Sequence, residues 1–155
     1  MICGIDPSYN DNNGVAYWDG EKLISLNSGS FDKMAADVLF HKPTAIVLED
    51  SRLDKHIHAA MGAYAIAVKK SGRSAGIAAA AMTGRNVGKL DGACTRWEDF
   101  AKRNNIKIYY VRPSSRRKGT DLKLSAPVFK KITGYEGRTN EHNRDAAMLV
   151  FKRKL

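Results

Sequence analysis

The chain opens with a short apolar run, residues 2–5, that stops at Asp6-Pro7-Ser8. Pro7 interrupts regular pairing, and the stretch from Tyr9 to Gly14 is rich in turn formers. Val15-Ala16-Tyr17-Trp18 reads as a second strand, Asp19-Gly20 as a two-residue hairpin signal, and Lys22 to Ser28 as a third strand. From Phe31 to His41 the spacing of Phe31, Met34, Ala35, Val38 and Leu39 predicts a helix that Pro43 ends. Ala45-Ile46-Val47-Leu48 is continuously apolar, as suits a strand buried on both faces of a sheet, and it stops abruptly at Glu49-Asp50. Residues 53–82 lack a clear period. They are rich in Ala and Gly, carry the cluster Lys69-Lys70-Ser71-Gly72-Arg73, and read as either one broken helix or an arm. Helical spacing resumes from Asn86 to Asn105, a strand is expected at 106–111, a short helix at 124–132, and a last helix at 140–154 with Thr139 or Asn140 as N-cap.

The expected order is therefore β-β-β-α-β-insert-α-β-α-α. Antiparallel strands followed by strands joined through helices imply an α/β fold, a mixed five-stranded sheet with helices on its faces. At 155 residues the chain fits one domain, spanning 1–155 with the insert at about 53–82. It shows no repeat. No stretch reaches the ~20 apolar residues of a membrane helix. With no basic leader before the first strand, no signal peptide is expected either. Cys3 and Cys94 have no metal-ligand spacing and read as buried thiols of a reducing compartment.

Charge changes the picture. The net charge is +10, yet residues 1–50 hold three basic against eight acidic residues, and the rest hold twenty-three against eight. Such a basic chain is expected to meet a polyanion. The carboxylates of the first third are set apart for another task, such as holding cations beside that polyanion. Three acidic positions stand at special places. Asp6 and Glu49 end strands and Asp145 lies within the last helix, so all three can reach one sheet edge. Carboxylates so gathered repel unless cations neutralise them, and their oxygens suit Mg²⁺ or Mn²⁺. Two such ions can clamp the attacking and leaving oxygens of a phosphoryl displacement. His142 and Glu141 precede Asp145 by three and four residues, which puts both on its face; His142 is the preferred ligand and Glu141 the reserve, with Asp50 a further candidate. Each carboxylate alone has a plainer explanation, as a turn residue, a solvated strand end or a helix ion pair. It is the three in this order that point to a site.

Gly4-Ile5-Asp6-Pro7-Ser8 with Gly14, then Ile46-Val47-Leu48-Glu49-Asp50, then His142-Asn143-Arg144-Asp145-Ala146-Ala147 together resemble the motifs of the RuvC-type Holliday-junction resolvases. The match is strongest to compact phage-encoded members and spans nearly the whole chain except residues 53–82. The resemblance implies a ribonuclease-H-like fold, a homodimer, two Mg²⁺ ions per site (Mn²⁺ as substitute) and nicking of four-way DNA junctions. The ends produced would be 5′-phosphate and 3′-hydroxyl, and the setting a bacterial or phage-infected cytoplasm. It maps Asp6, Glu49 and Asp145 onto family carboxylates and puts His142 where many members have a fourth. It also implies a cation near the scissile phosphate, for which Lys118 is the first candidate and Lys123 the second. Arg116 and Arg117 with Lys69, Lys70 and Arg73 are candidates for the DNA backbone. Two other readings keep the fold: an RNA nuclease of the ribonuclease H or YqgF kind, and a non-catalytic binder of branched DNA. An actin-like ATPase needs two related domains, and this chain has room for one.

Overall fold

The computed structural model describes residues 1–53, 57–113 and 124–155. Five strands form one mixed sheet: β1 (Ile2–Asp6), β2 (Asn13–Trp18), β3 (Leu23–Gly29), β4 (Ala45–Glu49) and β5 (Lys107–Val111), in the order β3-β2-β1-β4-β5. The first three are antiparallel, while β4 runs parallel to β1 and β5 parallel to β4. This is the mixed sheet expected from the strand pattern. The connection between β2 and β3 is longer than the Asp19-Gly20 signal predicts, running over residues 19–22. The Asp19 carboxylate accepts the N–H groups of Glu21 and Lys22, each at 2.8 Å, and so holds a wider turn.

Strand alternation sorts side chains between two layers. Cys3, Ile5, Val15, Tyr17, Ile46 and Leu48 face α1 (Phe31–His41) and the inner end of α3 (Arg73–Arg103). Ala16, Trp18 and Val47 face α4 (Ala126–Thr133) and α5 (Glu141–Val150), whose Phe129, Ala146, Ala147 and Val150 close the second core. The helix ends follow local chemistry. The Ser30 hydroxyl caps α1, Gly134 ends α4 with a positive φ of 71°, and Asn140 with Asn143 forms a reciprocal capping box on α5.

The insert is a helical hairpin. Residues 57–71 form α2, Gly72 turns the chain at a φ of 84°, and α3 follows for 31 residues, about 46 Å at 1.5 Å per residue. Of the two readings of this segment, the broken helix is the one seen. The helix expected from Asn86 thus begins thirteen residues earlier, at Arg73. Its outer half escaped notice because nearly every residue there is small, so apolar and polar positions do not alternate. Gly76 lets α2 close onto α3, since a Cβ there would stand 2.4 Å from Val68 Cγ2. No helix among the described residues is long and apolar enough to cross a membrane.

Candidate active site

Asp6 and Glu49 arrive at the same sheet edge because β1 and β4 are parallel neighbours. Ile5 pairs with Leu48, so the next residue of each strand, Asp6 and Glu49, stands side by side at the carboxyl ends. Alternation puts both on the α5 face, in line with Gly4 on β1 and Val47 on β4. Strands lie about 4.8 Å apart, so both carboxylates share a small volume.

Two glycines bring α5 onto this edge. A Cβ on Gly4 would stand 2.1 Å from the Ala146 carbonyl oxygen, and one on Gly14 2.1 Å from that of His142. No side chain larger than hydrogen fits at either position. The helix backbone therefore lies directly on β1 and β2, and its His142 reaches the end of β1. His142 Nδ1 is 2.8 Å from Asp6 Oδ2. That hydrogen bond outweighs burial, and with the charges of Asp6, Glu141 and Asp145 it raises the His142 pKa above its ordinary value. Asp145 is buried within the helix. The Arg144 guanidinium is turned to the Leu124 carbonyl at 2.7 Å and the Thr139 hydroxyl at 3.1 Å.

Asp50 sits one step past Glu49 and faces the other layer. The Arg52 guanidinium grips its carboxylate with Nε at 2.8 Å and Nη2 at 2.9 Å, and the Asp50 backbone N–H donates to the Val111 carbonyl. Burial raises the Asp50 pKa, but the Arg52 hydrogen bonds outweigh it and hold the carboxyl below its ordinary value. Arg52 Nη1 also meets Glu98 Oε2 at 2.8 Å. Asp50 therefore buttresses the end of β4.

Asn13 was missed in the sequence. It lies in a run of turn formers but is the first residue of β2 and is buried. Its Oδ1 accepts the Ser8 N–H at 3.1 Å and the Trp97 Nε1–H at 3.0 Å, and its Nδ2 donates to the Gly29 carbonyl at 3.3 Å. The loop that leaves Asp6 is thereby held from inside. The one hint in the sequence was an Asn placed directly before Gly14.

Lys69, Lys70 and Arg73 surround the turn of the helical hairpin and are exposed. From 57 to 90 the hairpin carries five basic residues and no acidic one, Arg85 and Lys89 being the two not singled out from sequence. Arg116, Arg117, Lys118 and Lys123 lie outside the described residues. Cys3 and Cys94 are buried free thiols, and Trp97 is a core residue.

Asp6, Glu49, His142 and Asp145 offer hard oxygens and one imidazole nitrogen, a donor set whose chemistry fits a divalent cation. In the arrangement seen, no three His, Cys, Asp or Glu side chains among the described residues close around a common point. Asp6 instead engages His142, and an ion would take the place of that contact.

Neither the protein-family models nor the curated proteins contain a match to this sequence. Solved structures do. RuvC of T. thermophilus, in complex with a Holliday junction substrate, superposes with a TM-score of 0.56 at 12% identity, over 97% of this chain and 90% of that one. The chain has the ribonuclease-H-like fold of RuvC. The Fowlpox virus resolvase, solved with its substrate Holliday junction DNA, aligns over 98% of this chain and 99% of its own at 14% identity and a TM-score of 0.47. At these identities the likeness to RuvC is one of fold. The chemistry must be argued from this chain's own residues on the RuvC-like frame.

Proposed function

We propose that this protein is a divalent-metal-dependent endonuclease that resolves four-way DNA junctions. The observation that carries the reading is the contact of His142 with Asp6 beneath a helix seated on Gly4 and Gly14, with Glu49 at the neighbouring strand end and Asp145 one turn further along the same helix. The RuvC-like frame supports a substrate class, as do residues 57–90 of the hairpin, which carry five basic residues and no acidic one.

Asp6, Glu49, His142 and Asp145 would hold two Mg²⁺ ions, with Mn²⁺ as a substitute. So held, the ions would supply activation of water and stabilisation of the leaving 3′ oxygen, giving 5′-phosphate and 3′-hydroxyl ends. Asp6 and Glu49, fixed on neighbouring strand ends, set the separation of the ligands. His142 must be neutral to act as a ligand, so it gives up the proton that Asp6 favours. Lys69, Lys70 and Arg73 bind backbone phosphates away from the reacting bond, and Arg116, Arg117 and Lys123 are assigned the same task. Lys118 is assigned to the scissile phosphate, where a cation stabilises charge developing in the transition state. A homodimer would present two such sites to a substrate that itself has two-fold character.

The test is cleavage of labelled four-way DNA, linear duplex and RNA–DNA hybrid with Mg²⁺, Mn²⁺ or EDTA. Paired, metal-dependent cuts confined to the junction are expected. Cuts confined to the hybrid would replace the substrate and keep the site. Tight junction binding without cutting under any metal would leave a structure-specific binder and remove the catalytic roles.

A further inference from the structure

One helix touches the end of β4 and holds the loop that follows the end of β1, the two places that carry the candidate ligands Glu49 and Asp6. The outer half of α3 packs on α2, whereas the stretch from Lys89 to Glu98 meets the edge of the sheet. Lys89 Nζ lies 5.8 Å from the centre of the Tyr9 ring, in the loop that follows Asp6. Asp91 accepts the Ser51 hydroxyl at 2.7 Å. The Cys94 thiol donates to the carbonyl of Glu49 itself, at 3.7 Å. Trp97 Nε1 donates to Asn13, which in turn holds the N–H of Ser8, two residues past Asp6. Glu98 pairs with Arg52, whose fork grips Asp50, the residue after Glu49.

These contacts divide into two arms of one clamp. One runs from Trp97 through Asn13 to the Asp6 loop. The other runs from Glu98 through Arg52 and Asp50 to the end of β4. Trp97 and Asn13 are buried almost completely, so their bond is made in a low-dielectric interior, where losing a partner is costly. The Arg52 fork is planar and bidentate, a geometry that lysine cannot reproduce.

We infer that Trp97 and Arg52 are positioning residues: through Asn13 and Asp50 they set the separation and orientation of Asp6 and Glu49, and so the affinity of the site for divalent cations. The inference rests on the proposed metal-dependent nuclease reading. It goes beyond it in giving the inner end of the arm helix control over the ligand geometry.

Trp97→Phe removes the indole N–H and keeps an aromatic ring; Arg52→Lys keeps the charge and removes the fork. Val38→Ala, a truncation in the same core from α1, serves as a stability control. Mn²⁺ uptake by each protein, without DNA, is followed by electron paramagnetic resonance, beside thermal melting and junction binding in EDTA. Outer-sphere partners of metal ligands typically change affinity or activity by about 10–100-fold when lost. Both positioning variants are therefore expected to bind Mn²⁺ at least about tenfold more weakly. Their cleavage should need correspondingly more metal, with recovery at high metal and unchanged junction binding. Val38→Ala should melt earlier with Mn²⁺ affinity intact. Arg52→Lys alters a partly exposed side chain, so it keeps the test decisive if Trp97→Phe does not fold. Wild-type affinity in a folded positioning variant, or a loss matched by Val38→Ala, overturns the inference and leaves the nuclease reading standing. A wild-type protein that takes up no Mn²⁺ overturns the metal reading, and this inference with it.

Discussion

At the scale of single residues, the site depends on what is absent as much as on what is present. Gly4 and Gly14 have no Cβ, and the α5 backbone occupies that space at 2.1 Å from where each Cβ would be. Gly14→Ala must therefore push α5 off β2. Overpacking of this kind costs about 1–3 kcal/mol, and more where backbone is the obstacle. A urea titration should show that loss, with cleavage falling further than stability because His142 moves with the helix. Asp6→Asn is the opposite kind of change, nearly isosteric and directed at charge. We expect cleavage to vanish while junction binding in EDTA survives; a fully active Asp6→Asn would sink the site assignment. Asp6, Glu49 and Asp145 stand out in the sequence because two of them close apolar runs and the third falls on a helix with His142 three residues before it, and the structure puts Asp6 and Glu49 on neighbouring strand ends. Asn13 and Arg52 were not readable in the same way. Their partners, Trp97 and Glu98, are far along the chain, and nothing local marks a buried amide or a guanidinium fork.

At the scale of elements, the strands and the helices α1, α4 and α5 followed from periodicity, turn residues and caps, within one to four residues at most ends. The helical hairpin did not. Its residues are so uniformly small that the period of 3.6 leaves little trace, and α3 became legible only from Asn86, where Trp97 and Phe100 pick out a buried face. That composition has a consequence. Gly84, Gly88 and Gly92 lie inside α3, and a Cβ at each would meet no heavy atom of the described residues within 4 Å. Glycine in a helix interior costs roughly 0.5–1 kcal/mol relative to alanine. Each Gly→Ala change at these positions should raise stability by about that amount, read as a later denaturation midpoint; a drop would mean that something in solution approaches α3 at those positions. The basic residues at the tip of the hairpin make a separate prediction. If Lys69, Lys70 and Arg73 each neutralise a phosphate, replacing all three by Ala should weaken junction binding. It should also flatten the plot of log affinity against log salt by about 0.9 per cation lost. An unchanged slope would take the hairpin tip out of the DNA interface.

At the scale of the whole molecule, the charges that hold the sheet edge also set how the fold answers to acid. Hydrogen bonds from Lys102 and Arg52 outweigh burial and bring the Glu98 pKa from 4.5 down to about 2. The Arg52 fork likewise holds Asp50 below its ordinary 3.8. Both carboxyls bind protons less readily folded than unfolded, so their contribution to stability is complete above the unfolded values. It declines as pH falls through the folded ones. For Glu98 the window runs from pH 4.5 down to about 2. Stability measured by urea unfolding should hold steady above that window and fall steeply within it. Glu98→Gln removes the titrating group and keeps its shape, so that variant should start less stable and lose less on acidification. Parallel acid profiles for wild type and Glu98→Gln would mean that the Asp50–Arg52–Glu98 chain contributes little to the fold. The steep wild-type fall would then belong to other carboxylates.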